Sequence, residues 1–438
     1  MKLYLFDDDK LLNRINSRRI YGDPKPLPDK RGGKIIKGSP LGPYLAYYDV
    51  RVDKGELLLP PWQRKHLIHA AVSDDCLNWE PLGELTYKKD DGTVAPIYPG
   101  FASTIHAAVY DESAGEEKYR LVCVRAGETK MIPALLYSED GLCFSRKDTN
   151  YNGDATEGLS NYFYHREKKS WCLTIRRHWG ERGAGIKETK DFMNYTKWQP
   201  VIMPDSEDLP MDEVYGLVST DLDELYIGML SIYHTPYQED TTWKFRKGRL
   251  ETQLAYSYDG NYFLRSLRRP FIKTDDLTDP SHGCFFPNEI VERENDVLIF
   301  GGSTREEHGM YTKTFGTAYS IQKDRFCGLE SCAGDADITT RPILYDGGDI
   351  TINISVPYGE AVCEIRDREN KPIEGFTFED CQPFAGDDIY WKPKWQSHKI
   401  SELKGKPLMI KLRWFNGVVW TMDIEGRTIK SHIELALY

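Results

Sequence analysis

Short runs in which apolar and polar residues alternate dominate the chain, and the 3.6-residue period of an amphipathic helix is nearly absent. The runs are rich in β-branched and aromatic residues, and Gly, Pro, Asp and Asn separate them. This pattern is typical of β-strands joined by tight turns. The sequence therefore predicts an all-β protein.

Five of these runs share one pattern, in which a strand ends in a small hydroxyl residue and an acidic turn and an apolar residue follow. They read AAVSDDCLNW (70–79), LLYSEDGLCF (135–144), GIKETKDFMNYTKW (185–198), LAYSYDGNYF (254–263) and TAYSIQKDRF (317–326). The hydroxyl residues are Ser73, Ser138, Thr189, Ser257 and Ser320, with gaps of 65, 51, 68 and 63 residues. Units of four strands at this spacing predict a five-bladed β-propeller, because a ring of blades buries the faces that a single blade exposes.

The repeat stops after about residue 330, and alternating strands such as DITINISV (349–356) and LMIKLRW (408–414) follow. The change predicts two domains, a propeller over 1–330 and a β-sandwich over 335–438. The sandwich either binds carbohydrate or braces the propeller. We expect the N-terminal strand, KLYLFDDD, to close the ring against the last blade or to pack beneath it.

Charge and composition exclude several classes of function. The 57 basic and 68 acidic side chains give a net charge of −11, which argues against nucleic-acid and anionic-membrane partners. No run of about 18 apolar residues is present to span a membrane. The first residues, MKLYLFDDDK, lack the apolar core of a signal peptide. We therefore expect a cytoplasmic protein, or a secreted or periplasmic one whose signal segment is not part of this sequence.

Several segments resemble the five-bladed-propeller glycoside hydrolases of families 32, 43 and 68. The chain is more closely similar to a bacterial group labelled glycoside hydrolase family 32-like, which carries the same C-terminal sandwich. The segments are 213–234, 296–309, 339–356, 359–389 and 400–414, so the resemblance spans most of the chain. It implies a propeller fold and glycan chemistry. The Asn-Asp-Pro-Asn, Arg-Asp-Pro and Glu-Cys motifs of the invertase-type enzymes are missing, which puts β-fructosidase activity in doubt.

Glycosidases need two carboxyl groups across the scissile bond, one protonated and one acting as nucleophile or base. Glu213 opens the innermost strand of blade four with Tyr215 on the same face, and we expect it to be the general acid. Asp49, at the end of the second strand of blade one, is the expected nucleophile or base. Asp154 either stabilises positive charge on the sugar or forms a turn, and Glu289 is a substitute for either carboxylate role.

A second group of candidates is cationic or polar and lies near the ligand end of the predicted channel. The predicted substrate-binding residues are Arg125, Arg176, His106, Asn161, Tyr215, His234, Arg305 and His308. Arginine forks bind carboxylate, sulfate or phosphate, so an anionic glycan or a phosphate co-substrate is one interpretation. The alternative is that these groups pair with neighbouring acids.

The sequence thus favours a glycoside hydrolase acting on a furanose or other small-glycan linkage of an oligosaccharide. A phosphorylase or transglycosylase on the same scaffold and a non-catalytic glycan-binding propeller are the alternatives. No zinc motif or phosphate-binding glycine loop is present, and nothing indicates a cofactor or a calcium ion in the channel.

Overall fold

The computed structural model describes residues 1–51, 66–97, 105–126, 131–150, 161–176, 182–235, 247–274, 281–308 and 314–437. Strands make up 58% of the described residues and helices 4%, which confirms the predicted all-β class. The chain divides into two compact units. The larger contains residues 24–292 and 297–320, and the smaller contains residues 1–23, 293–296 and 321–438. No helix within the described ranges is both long and apolar enough to cross a membrane.

The N-terminal strands are short and are divided between the two units. They are β1 (Lys2–Tyr4), β2 (Leu11–Ile15), β3 (Ser17–Tyr21) and β4 (Lys25–Pro28). The first three belong to the smaller unit and β4 to the larger.

The described part of the larger unit contains five antiparallel meanders. The first has β5 (Lys34–Ser39), β6 (Gly42–Arg51), β7 (His66–Ser73) and β8 (Glu80–Glu84). Strands β9 (Thr86–Lys88) and β10 (Val94–Pro96) follow in the chain but join the sheet of the second meander, where β9 pairs with β14. The second has β11 (Ile105–Tyr110), a 3-10 helix (Glu112–Glu117), β12 (Tyr119–Ala126), β13 (Met131–Ser138) and β14 (Cys143–Asp148). The third has β15 (Tyr162–His165), β16 (Ser170–Arg176), β17 (Ala184–Thr189) and β18 (Gln199–Ile202). The fourth has β19 (Asp212–Asp221), β20 (Tyr226–His234) and β21 (Arg249–Ser257), and the fifth β22 (Cys284–Glu292), β23 (Asp296–Thr304) and β24 (Phe315–Gln322).

The first strands of the meanders pack against one another in circular order. Strand β5 contacts both β11 and β22, and β19 contacts both β15 and β22. Val109 of β11 and Tyr162 of β15 share one hydrophobic cluster, which joins the second meander to the third. The first strands therefore form the inner wall of a ring, as a propeller requires.

The strand that completes the fifth meander differs from the expectation. Strand β4 pairs with β24, so Lys25–Pro28 supplies the additional strand of the last meander. Strand β1, which was expected either to close the ring against the last blade or to pack beneath it, does not pair with the last meander but with a strand of the smaller unit (Val418–Thr428). The alternating pattern of KLYLF predicts a strand but carries no signal for its partner, because pairing depends on residues more than 400 positions away.

The repeated hydroxyl–acid pattern forms the same turn in four meanders. In each, an aspartate accepts hydrogen bonds from the Ser or Thr hydroxyl two residues before it and from the backbone N–H groups two and three residues after it. These aspartates are Asp75, Asp140, Asp191 and Asp259. The carboxylate thereby satisfies backbone donors that the turn removes from the strand ladder. In the fifth repeat Asp324 bonds to Lys2 and Tyr4 instead.

The smaller unit is a nine-stranded sheet in which β28 and β1 lie off the main order. Its further strands are β25 (Cys327–Ser331), β26 (Ala336–Thr340), β27 (Ile343–Arg366), β28 (Phe384–Trp391), β29 (Pro407–Phe415) and β30 (Val418–Thr428), with a 3-10 helix (Ile400–Leu403) and α1 (His432–Leu435). The 24-residue β27 pairs with β30 through its first half and with β29 mainly through its second. A core around the fully buried Trp414 fills the unit. The β-sandwich and the boundary near residue 330 stay predictions.

We predict that Asp75→Ala lowers the free energy of unfolding by about 1–2 kcal/mol, because four hydrogen bonds to this carboxylate are lost. Backbone hydrogen bonds from Asn78 and Leu77 hold the pKa of Asp75 below its ordinary value. Its contribution is therefore present above about pH 4 and is lost as the pH falls through the folded-state pKa.

The measurement is urea unfolding of the wild type, Asp75→Ala and the matched control Asp74→Ala, each at pH 7 and pH 3. Asp74 is the exposed neighbour of the same residue type. Equal losses for the two variants at pH 7 would contradict the assignment.

Candidate functional site

Three of the inner-wall strands carry an extra residue in their pairing with the second strand. The extra residues are His106 in β11, Tyr215 in β19 and Asn288 in β22. A β-bulge re-aims neighbouring side chains, and bulges are over-represented beside active sites. His106 and Tyr215 are predicted binding residues, whereas Asn288 was missed, because a bulge depends on a mismatch with the partner strand and not on local pattern. The inner wall of the ring is thus the candidate site.

A buried charged group joins the first, second and fifth meanders at this wall. Lys34 of β5 is only 2% exposed, and its Nζ lies 2.5 Å from the Asn288 carbonyl oxygen and 3.7 Å from Glu289 Oε2. Burial raises the pKa of Glu289, although Lys34 opposes the shift, and burial lowers the pKa of Lys34. Burial, with the charge of Lys34, lowers the pKa of His106 to about 3. Glu289 is therefore held toward its protonated form and His106 is neutral.

The sequence analysis missed Lys34, although the preceding glycine pair offers a signal. A Cβ on Gly32 would lie 2.6 Å from the Phe300 ring, and one on Gly33 would lie 2.0 Å from the Tyr47 carbonyl oxygen. Only glycine permits this close approach, which brings the start of β5 against β6 and β23. Two consecutive glycines before a strand thus mark the place where a lysine enters the wall.

Glu213, the expected general acid, is in an opposite environment. Its Oε2 accepts a hydrogen bond from Arg182 Nη1 at 2.5 Å, and the two side chains are 26% and 18% exposed. The guanidinium forms a charge-assisted hydrogen bond with the Glu213 carboxylate. The carboxylate oxygens of Glu213 thus act as acceptors toward a cation, which is the geometry of a base or nucleophile and differs from the role expected for this residue. Arg182 was not among the predicted residues, since it lies outside a strand and its partner is about thirty residues away.

Aromatic rings line the same meander beside Glu213. The Arg176 guanidinium lies 4.4 Å from the centroid of the Tyr215 ring, within the range of a cation–π contact. The Tyr215 hydroxyl is 3.0 Å from His308 Nε2, and the Tyr233 and His308 rings are 4.9 Å apart. Three predicted binding residues, Arg176, Tyr215 and His308, are therefore brought together, and Tyr233 was missed.

His234 is held between two carboxylates of neighbouring strands. Its Nδ1 lies 2.7 Å from Asp212 Oδ1, and its Nε2 lies 3.0 Å from Glu251 Oε2. The hydrogen bond to Glu251, together with Asp212, raises the pKa of His234 to about 9 although burial opposes the shift. This histidine follows the alternative of the sequence analysis, in which a cation pairs with neighbouring acids.

The remaining predicted residues lie in different surroundings. Asp49 of β6 is close to Cys123, and burial together with this carboxylate raises the pKa of the thiol. The buried amide of Asn161 bonds twice to the Ser219 backbone, at 2.7 and 2.9 Å, and so ties the third meander to the fourth. The exposed Arg305 lies 5.7 Å from the Phe315 ring centroid. The catalytic and binding roles of these three residues stay predictions.

Two predicted positions fall outside the description. Asp154 and the side chain of Arg125 lie outside the described residues. Within the part of the chain that is described, no group of three or more His, Cys, Asp or Glu side chains is arranged to hold a metal ion.

No protein-family model matches the sequence, and no curated protein matches it. The structure is similar to those of several carbohydrate-active enzymes. One is a β-1,2-mannobiose phosphorylase from Listeria innocua, with 12% identity, a TM-score of 0.44 and coverage of 73% of this chain and 96% of that chain. Another is an exo-β-1,3-galactanase from Phanerochaete chrysosporium, with 7% identity, a TM-score of 0.41 and coverage of 92% and 99%. A third is a family 32 β-fructofuranosidase from Bombyx mori, with 11% identity, a TM-score of 0.39 and coverage of 92% and 95%.

We predict that His234→Gln lowers the free energy of unfolding by roughly 1–2 kcal/mol at pH 6, after allowance for solvent screening. The folded-state pKa of about 9 lies above the ordinary value, so the stabilisation is fully present below about pH 6.5 and is lost as the pH rises through about 9. Urea unfolding at pH 6 and pH 10 measures the difference, with the exposed His432→Gln as control. A loss that is equally large at pH 10 would contradict the ion-pair assignment.

Proposed function

We propose that this protein is a glycan-processing enzyme that hydrolyses a glycosidic bond of a small oligosaccharide. Glu289 is the general acid, and Glu213 is the base or nucleophile. The observation that carries the proposal is the opposite electrostatic environment of these two carboxyl groups, both of which lie on inner-wall strands of one ring. Glycoside cleavage requires two carboxyl groups in different surroundings, and here one is held in a low-dielectric setting whereas the other pairs with a guanidinium.

Glu289 suits the acid role because burial favours its neutral, protonated form. In the proposed reaction it gives its proton to the glycosidic oxygen as the bond to the sugar carbon breaks. Lys34, 3.7 Å away, then stabilises the carboxylate that is left. Burial raises the pKa of Glu289, and the positive charge of Lys34 lowers the free energy of the carboxylate that forms when the proton leaves.

Glu213 suits the complementary role because Arg182 maintains a positive charge beside it. An ionised carboxylate either attacks the sugar carbon directly or removes a proton from water. The half-buried ring of Tyr215 supplies an apolar surface beside this group on which a sugar packs, and the buried ring of Tyr233 supports Tyr215 from behind. Glu213, which was expected to be the general acid, is thus proposed as the base or nucleophile. Glu289, which was expected only as a substitute for either role, is proposed as the general acid. A furanose linkage stays within this proposal as one substrate class.

We predict that Glu289→Gln and Glu213→Gln each lower kcat by about 10²–10⁴-fold, because each removes a group that acts on the reacting bond. The measurement is product release from a panel of plant and microbial oligosaccharides, with and without inorganic phosphate. Glu224→Gln, in an exposed turn of the fourth meander, is the matched control and is expected to keep full activity.

The outcomes separate the alternatives. A sugar phosphate formed only when phosphate is present identifies a phosphorylase that uses the same acid. Product release unchanged in both Gln variants would overturn the carboxylate assignment. Binding of oligosaccharides without any product from the wild type would support the non-catalytic propeller.

We predict that Lys34→Met shifts the alkaline limb of the activity profile to higher pH by roughly one unit. A general acid is active while protonated, so activity falls as the pH rises through the pKa of Glu289. Removal of the neighbouring cation raises this pKa further. The control is Lys37→Met in the same strand, because Lys37 is exposed and bonds to the Glu292 carbonyl oxygen. An alkaline limb that moves to lower pH, or equal profiles for the two variants, would contradict the role of Lys34.

A further inference from the structure

A cleft of about 860 Å³ lies within the smaller unit, far in sequence from the proposed catalytic carboxylates. Its wall is formed by residues from two stretches, 378–383 and 394–396, and its floor is formed by β27 and β29. We call it the C-terminal cleft and describe it by six of its lining residues. They are Glu360, Phe378, Glu379, Lys394, Gln396 and Phe415. Its volume falls within the roughly 300–1,000 Å³ of small-molecule sites.

The wall of the C-terminal cleft is preformed by backbone hydrogen bonds. The Gln382 N–H donates to the Lys394 carbonyl oxygen at 2.8 Å, and the Gln396 N–H donates to the Asp380 carbonyl oxygen at 3.1 Å. Trp395 is 6% exposed, and its indole N–H donates to a carbonyl oxygen of β27 at 3.0 Å. The wall is thus pinned to the sheet, so a ligand meets a formed surface and little ordering entropy is lost on binding.

Two phenylalanine rings supply the apolar surface of the cleft. Phe415 is 41% exposed although it lies in a strand of a well-packed unit. Phe378 is half-buried, and the guanidinium of Arg413 lies 4.4 Å from its ring centroid. Flat, partly exposed rings beside polar groups suit a ligand with both apolar faces and polar edges, because a ring buries apolar area at a small entropic cost.

The rim carries donors and acceptors that the protein itself does not use. For the side chains of Glu360, Glu379, Lys394 and Gln396, no hydrogen bond or ion pair to another described residue is present. Carboxylates accept, an ammonium donates, and an amide does both, whereas each hydroxyl of a sugar both donates and accepts. The mixed rim therefore matches a polyhydroxyl ligand.

The charge of the rim argues against a strongly charged ligand. Three lining carboxylates, those of Asp335, Glu360 and Glu379, are offset by two lining cations, Lys394 and Arg413. The carboxylates repel an anionic glycan, and the lysine and the arginine repel a polycation. A near-balanced rim with aromatic rings is best satisfied by a neutral oligosaccharide.

We propose that the C-terminal cleft binds a neutral oligosaccharide, and that it is a second carbohydrate site separate from the inner wall of the ring. The proposal goes beyond the proposed function, since it depends on no catalytic residue. Of the two roles that the sequence left open for this region, the proposal adopts carbohydrate binding.

We test the C-terminal cleft with the full chain carrying Glu289→Gln, titrated with xylotriose, cellotriose, mannotriose and arabinotriose by calorimetry and by the fluorescence of Trp395 and its neighbours. We expect saturable binding of at least one trisaccharide, and we expect Phe415→Ser and Glu379→Ala each to weaken it at least tenfold. The matched control, Tyr390→Ser, removes a 51% exposed aromatic side chain from β28 outside the cleft lining and is expected to leave binding unchanged.

Three outcomes overturn the proposal. Absence of binding to all four probes, binding that survives both cleft substitutions, or binding of spermidine or pentalysine in place of the sugars each contradicts it. Oligosaccharide hydrolysis by the Phe415→Ser variant at the wild-type rate, with trisaccharide binding at the cleft lost, keeps the two sites distinct. Loss of catalysis in Glu289→Gln with trisaccharide binding at the cleft intact also shows that the two sites are distinct. Failure of one proposal therefore does not imply failure of the other.

Discussion

The pairing of the buried Lys34 with the partly buried Glu289 at the inner wall of the ring is the interaction on which the candidate site depends. A carboxyl group in a low-dielectric surrounding favours its neutral form, and an ammonium beside it limits how far that preference goes. The 3.7 Å separation between the two charged ends keeps the pair close without a direct short contact. The Lys34 Nζ meanwhile donates to the Asn288 carbonyl oxygen, so the buried ammonium is stabilised by more than its acidic neighbour.

The ring architecture makes this pair possible, because it brings together strands that are distant along the chain. Lys34 and Asn288 are 254 residues apart, and their strands meet where the first meander contacts the fifth. Strand β4 from the beginning of the larger unit pairs with β24 at its end, which completes the fifth meander. The geometry of the candidate site thus depends on the pairing between the beginning and the end of the larger unit.

The bulges serve the same site in another way. In a regular strand alternate side chains face opposite sides, so a strand of the wall presents only every second residue on the side that bears the site. An extra residue at His106, Tyr215 or Asn288 breaks this alternation. At Tyr215 the bulge accompanies a contact to Arg176 and one to His308, two side chains from neighbouring meanders. Because a bulge breaks the alternation, the wall can present more polar side chains on one side than regular strands of the same length would.

The sequence alone determined the all-β class and the repeated turn, because both depend on local pattern. Where Asp follows a hydroxyl residue by two positions, its carboxylate accepts hydrogen bonds from the backbone N–H groups of the turn. The turn at Asp75 recurs at Asp140, Asp191 and Asp259 for that reason. Sequence also drew attention to Glu213, Glu289, Tyr215 and His308. Only the tertiary structure decided that Arg182 pairs with Glu213, that Lys34 lies beside Glu289, and that β1 joins the smaller unit. Burial and nearby charges determine which protonation state a carboxyl group prefers. Both depend on strands that are distant in the sequence, so the neighbouring residues in the chain do not reveal them.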